Sequence, residues 1–180
     1  MRIKRENTAA VVVDIQERLF PHIHENEPLL KNVVTLIQGL QLLRVPLLVT
    51  EQYPRGLGRT LPELAAVLGA FEPIEKIAFS CCGENNFQSA LEKLGRKTVI
   101  LMGIEAHVCI LQTSLDLLEL GYRPVVIADC VSSRKPGDKS IALQRLQAEG
   151  ALLSSYESIL FELCGIAGTE EFKAISRLVK

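Results

Sequence analysis

The sequence has no tryptophan, aromatic residues make up 5% of it, and it holds only three histidines. So few rings cannot build a stacking platform for single-stranded nucleic acid. An excess of either charge is missing as well. Twenty Lys and Arg stand against 21 Asp and Glu, for a formal net charge of -1. That balance gives no electrostatic ground for binding a nucleic-acid backbone or an anionic membrane, so neither is an expected partner. No apolar run approaches the roughly 18 residues that a membrane-spanning helix needs. The charged start MRIKRENT leads into a short strand-like run that ends on Asp14, which is not the layout of a signal peptide. The cytoplasm is therefore the expected compartment. Paired cysteine spacing is lacking too: the five cysteines, Cys81, Cys82, Cys109, Cys130 and Cys164, include no CxxC. Adjacent Cys81 and Cys82 would strain a bridge, so all five read as reduced thiols.

What is present is a pattern of strands alternating with helices. Apolar, β-prone runs at 8–13, 45–50, 74–79, 98–102, 123–128 and 151–154 read as strands. Helical patterns follow at 29–43, 61–68, 84–94, after Gly103, at 138–149 with Asp138 as cap, and twice near the C-terminus. The segments 51–60 and 132–137 read as polar loops. No repeat, linker or low-complexity stretch divides the chain, so residues 1–180 are expected to form one domain. Buried runs of this kind, alternating with helices, predict a parallel sheet covered on both faces, an α/β architecture. Ligands of such sheets bind beyond the carboxyl ends of the strands, where the strand order switches. With the order 3-2-1-4-5-6, strands one and four flank that point and bring Asp14 and Cys109 to one crevice.

Cys109 lies where the helix after the fourth strand begins, and a helix N-terminus favours thiolate over thiol. Alone, an inert buried cysteine is the commoner reading. Asp14 alone could be a loop brace, and Lys76 a solvated residue on an edge strand.

The motifs VVVDIQERL around Asp14, EKIAFSCC around Lys76 and GIEAHVCILQTSLDLLELGY around Cys109 resemble those of the isochorismatase-like cysteine hydrolases. That superfamily includes nicotinamidases and N-carbamoylsarcosine amidases, and the likeness is nearest to its isochorismatase domain-containing branch. It extends to VVIADCVSS at the fifth strand and covers most of the chain. The resemblance implies a three-layer α/β/α sandwich on a six-stranded parallel sheet and an Asp14–Lys76–Cys109 triad. It also implies a cis peptide between Ile104 and Glu105, with the backbone N–H groups of Glu105 and Cys109 as an oxyanion hole. The reaction it implies is hydrolysis of a small-molecule amide or other C–N substrate through a thioester on Cys109. Relatives form dimers and larger assemblies, so a homo-oligomer is expected, with the apolar segment 159–179 as a possible contact surface.

Nicotinamidases carry histidine metal ligands after the second strand, whereas TEQYPRGLG here has none. His22, His24 and His107 show no metal-ligand spacing, so neither a metal nor another cofactor is expected. Phe20, Gln52, Tyr53, Phe79 and Ser80 follow or flank the strand ends and are candidates for the substrate pocket. Glu105 is expected to contribute its backbone N–H rather than its carboxylate, and SSRKPGD reads as a solvated turn. Two other classes of function compete: a catalytically silent scaffold on the same fold, and a thiol redox sensor using Cys109.

Overall fold

β1 (Thr8–Val13) is buried at every residue, and so is β4 (Thr98–Ile104). Strands with no polar face are stable only when both faces are covered, which is the situation of a central parallel strand. The computed structural model describes residues 2–180 and pairs these two strands in parallel from Thr8↔Thr98 to Val13↔Gly103. β2 (Leu47–Gln52), β3 (Ile74–Lys76), β5 (Arg123–Ser132) and β6 (Leu152–Ser154) complete a six-stranded sheet of order β3-β2-β1-β4-β5-β6. Every pairing is parallel.

Strand side chains alternate between faces, so the sheet divides the core into two leaves. Ala10, Val12, Ile100 and Met102 pack with α1 (Asn26–Leu42), α3 (Pro62–Leu68), α7 (Tyr156–Cys164) and α8 (Glu170–Leu178). Val11, Val13, Val99 and Leu101 pack with α4 (Asn85–Leu94), α5 (Leu111–Glu119) and α6 (Pro136–Ala148) on the other face. The four-residue α2 (Pro54–Leu57) sits in the loop between β2 and α3. Ile159, Leu160, Leu163 and Ile175 are buried within the subunit, which accounts for the apolar character of the last two helices. Among the described residues no helix is long and apolar enough to cross a membrane.

Several boundaries differ from the sequence expectation, and tertiary contacts explain why. β2 continues through Glu51 and Gln52, read from sequence as loop. The buried Glu51 carboxylate accepts from the Thr60 N–H at 2.7 Å and the Thr60 hydroxyl at 2.8 Å, and it pairs with Arg59. β3 stops at Lys76 instead of reaching Phe79, because the Ala78 and Phe79 carbonyls turn onto the Lys76 ammonium. β4 does not end at Met102 but passes through Gly103, whose φ is 131°. A Cβ on Gly103 would run into the Val13 carbonyl oxygen, so only glycine lets β1 and β4 approach here. β5 runs on to Ser132, with its register against β4 shifting between Leu101 and Gly103. α6 begins at Pro136, which places Asp138 in its first turn and not at its cap.

Candidate active site

Asp14 is the first residue after β1, and its backbone is left-handed, with φ 53°. Asp tolerates this conformation better than most residues, and it swings the carboxylate beneath the strand ends. Lys76 is the last residue of β3, two strands away, and its side chain reaches back beneath β2. Cys109 stands in a π-turn (Ala106–Ile110) that leads straight into α5, so the helical stretch starts three residues before it. Such turns are uncommon and concentrate at functional sites. The Ile104–Glu105 peptide that precedes the turn is cis.

These three side chains meet. Lys76 Nζ lies 2.7 Å from Asp14 Oδ2, with both side chains out of solvent. The Thr50 hydroxyl donates to Asp14 Oδ1 at 2.8 Å, and the Cys109 thiol is near enough to the same carboxylate to feel its charge. The three N–H groups of the ammonium are matched by Gln52 Oε1 at 2.7 Å, Phe79 O at 2.9 Å and Ala78 O at 3.2 Å. The Lys76–Asp14 contact is thus a charge contact lying outside hydrogen-bond geometry. It leaves Oδ2 as a buried acceptor with no well-aligned N–H or O–H partner.

The titration of the group departs from the sequence expectation. Burial pushes the Cys109 thiol well above the ordinary range, and the neighbouring Asp14 charge adds to that more than Lys76 takes away. The direction of this shift favours the thiol over the thiolate that its place near a helix start suggested. Burial likewise raises the Asp14 carboxyl, with the Lys76 charge opposing. Burial works to lower Lys76, but its acidic neighbours, Asp14 first and then Cys109 and Cys81, carry its net shift upward. Cys81, wholly buried beside the same groups, is pushed to about 11, mainly by burial.

A cavity of about 220 Å³ opens over Cys109. Its polar lining is Asp14, Gln52, Glu105, Cys109 and Arg134, and Leu19, Leu57, Phe79 and Val108 form its apolar walls. Of the pocket candidates, Gln52 and Phe79 lie on this lining. Phe20 belongs to the hydrophobic core, where its neighbour Leu19 faces the cavity instead. Tyr53 is about half exposed, and Ser80 caps the turn after β3 by accepting from the Cys82 N–H. These three are not on this lining. The Glu105 carboxylate is held by the backbone N–H and the Nε of Arg134, each at 3.0 Å. Arg134 was read from sequence as part of a solvated turn. Its place just past the carboxyl end of β5 was the signal that could have singled it out. His107 Nδ1 is paired with the Ser133 hydroxyl at 2.9 Å. Among the described residues, no three His, Cys, Asp or Glu side chains cluster as metal ligands.

A family model described as the isochorismatase domain matches residues 8–158. Isochorismatase domain-containing protein 2 of Danio rerio is 38% identical over 179 residues, covering 99% of this chain and 89% of that protein. The fold is similar to the MAR1 ribonuclease structure from Caenorhabditis elegans, with a TM-score of 0.92 and 38% identity over 99% of this chain and 92% of that one. It is also similar to YcaC from Pseudomonas aeruginosa, a structure carrying hexane-2,5-diol and covalent acrylamide, at TM-score 0.90 and 25% identity. That match covers 97% of this chain and 89% of the YcaC chain.

Proposed function

The chain belongs to the isochorismatase family, and from that premise we propose that it is a metal-independent cysteine hydrolase of small amides or related C–N compounds. The observation that carries this reading is the buried, unmatched Oδ2 of Asp14, in contact with the Lys76 ammonium, on a residue that shares one cavity lining with Cys109. A protonated thiol needs a base within reach, and this oxygen is that base.

In the first step the Cys109 S–H proton passes to Asp14 Oδ2 as sulfur bonds to the substrate carbonyl carbon. The carbonyl electron pair moves onto oxygen, and the backbone N–H groups of Glu105 and Cys109 receive that oxyanion. The tetrahedral species collapses, the C–N bond breaks, and the departing amine takes the proton from Asp14. Asp14, again a carboxylate, then draws a proton from water as the water oxygen attacks the thioester. Cleavage of the C–S bond returns that proton to sulfur. Throughout, the Lys76 charge stabilises whichever neighbour is anionic.

The cavity is below the range of sites that hold drug-sized ligands, which favours a substrate of few atoms. Covalent acrylamide on the YcaC relative fits a nucleophilic thiol in this fold. RNA, suggested by the name of the nematode relative, is disfavoured by a net charge of -1. The test is intact-mass spectrometry after rapid acid quench, with a panel of small amides, carbamoyl compounds and an RNA oligonucleotide. An acyl adduct on the wild type that is absent from Cys109→Ala supports the reading. Turnover that survives Cys109→Ala overturns it.

A further inference from the structure

The proposed chemistry uses Asp14, Lys76 and Cys109 but leaves unexplained why Gln52 is so heavily bonded. β1 and β2 pair as strands up to Val13↔Thr50, and the Asp14 N–H still reaches the Thr50 carbonyl at 3.2 Å. The left-handed turn at Asp14 then takes the β1 backbone away, which would leave the Gln52 peptide groups without a strand partner. Gln16 replaces the lost strand with its side chain. Its Oε1 accepts from the Gln52 N–H at 2.8 Å, and its Nε2 donates to the Gln52 carbonyl at 3.0 Å and to the Gly58 carbonyl at 2.7 Å. Gln16 itself is wholly buried.

With its backbone clamped in this way, Gln52 has both ends of its own amide engaged. Nε2 donates to the Ile77 carbonyl at 2.8 Å, and Oε1 accepts from Lys76 Nζ at 2.7 Å. The two partners fix which way the amide faces, since a flipped amide would set N–H against an ammonium and oxygen against a carbonyl. Gln52 therefore has both its amide nitrogen and its amide oxygen held by the protein while it lines the cavity, with one Nε2 hydrogen left over.

We infer that Gln52 is a positioning residue for Lys76, and that Gln16 holds it in place. This rests on the hydrolase reading above. The Gln52 oxygen is as close to the ammonium as Asp14 is and better aligned, so it takes an N–H that would otherwise turn to Asp14 Oδ2. That keeps Oδ2 open for the thiol proton. It also gives Lys76 a neutral acceptor that stays in place while Asp14 is protonated and carries no charge. The groups that face Lys76 are Asp14 from the end of β1, Cys81 from the turn after β3 and Cys109 from the π-turn. Their charges change or are buried through the cycle, whereas the Gln52 oxygen does not titrate.

The test needs no known substrate. Alkylation of each cysteine by iodoacetamide is followed by peptide mass spectrometry from pH 6 to 10 in the wild type, Gln52→Leu, Gln52→Asn and Asp14→Asn. Asparagine is one methylene too short to reach Lys76 and keeps a polar side chain, so it serves if the leucine variant does not fold. In the wild type the Cys109 rate climbs across the whole range. In either Gln52 variant it falls about tenfold, the scale of one hydrogen bond to a charged group, and its pH dependence moves upward. The half-buried Cys164 stays unchanged as an internal reference. A merely structural role has the opposite signature, because loosening exposes buried thiols and speeds Cys81, Cys109 and Cys130 together. That outcome, or an unchanged Cys109 profile in a folded variant, overturns the inference. If Asp14→Asn also leaves the Cys109 profile unchanged, the triad reading itself fails. If Asp14→Asn alters it and the Gln52 variants do not, only the positioning role is lost.

Discussion

A lysine with its side chain wholly out of solvent is rare in a soluble protein, and Lys76 persists there because four oxygens surround its ammonium. Breaking a buried pair by removing one partner leaves an uncompensated charge, at a cost of about 3–5 kcal/mol. Lys76→Met is expected to lose that much at pH 7, measured by urea denaturation. Its pH dependence follows from the directions of the two shifts. Lys76 is raised, so its contribution is complete below its ordinary 10.5 and fades as pH rises through the raised folded value. Asp14 is also raised, so its titration favours the folded state below its ordinary 3.8 and that gain is lost as pH rises through its folded value. Without Lys76 the Asp14 carboxyl rises further. The gap between Lys76→Met and the wild type is therefore expected to narrow as pH falls toward 4. A gap that is constant with pH would mean that packing, not charge, sets the loss.

At the level of elements, the site depends on how β1 and β4 end. β1 stops at a left-handed Asp14, and β4 continues through Gly103 before the Ala106–Ile110 turn presents Cys109. Gly103 permits this twice over, through its φ of 131° and through its closeness to the Val13 carbonyl. Gly103→Ala is expected to destabilise by about 2–4 kcal/mol, read as a lower urea midpoint at unchanged slope, because backbone strain and a backbone clash add. Since Asp14 directly follows Val13, the same variant is expected to disturb Cys109 alkylation. The edge elements, by contrast, were poorly legible in the sequence. β3 looked longer than it is because IEKIAF is rich in apolar, β-prone residues on both sides of Lys76. The pull of the Lys76 ammonium on the next two carbonyls is a long-range effect that local pattern cannot express.

The whole molecule is a sheet with a separate apolar leaf on each face, and the two leaves answer to different helices. Leu40 belongs to the leaf under α1, Phe87 to the leaf under α4, and both are fully buried. Leu40→Ala is expected to cost about 2–5 kcal/mol and Phe87→Ala about 3–5 kcal/mol in urea denaturation. Because the sheet lies between the sites, the double variant is expected to sum the two losses within about 0.5 kcal/mol. A larger coupling would mean that the leaves relax together through the sheet.

The sequence by itself determined the class of fold, since apolar, β-prone runs such as 8–13 and 98–102, alternating with helical patterns, fit a sheet buried between two helical layers. It also held the identity of Asp14, Lys76 and Cys109 through their motifs, although no local property of Lys76 or Asp14 distinguished either from a brace or an edge residue. The electrostatics were decided by tertiary structure alone. Position near a helix start argued for a lowered thiol, whereas burial beside Asp14 pushes it up, because desolvation and a neighbouring anion both disfavour the thiolate. Tertiary structure also separated the cavity-lining Leu19 and Arg134 from Phe20 in the core, the half-exposed Tyr53 and the capping Ser80. It kept Gln52 on the cavity lining and set its amide against Lys76, because only folding brings the Gln16 amide to the place where the β1 backbone leaves.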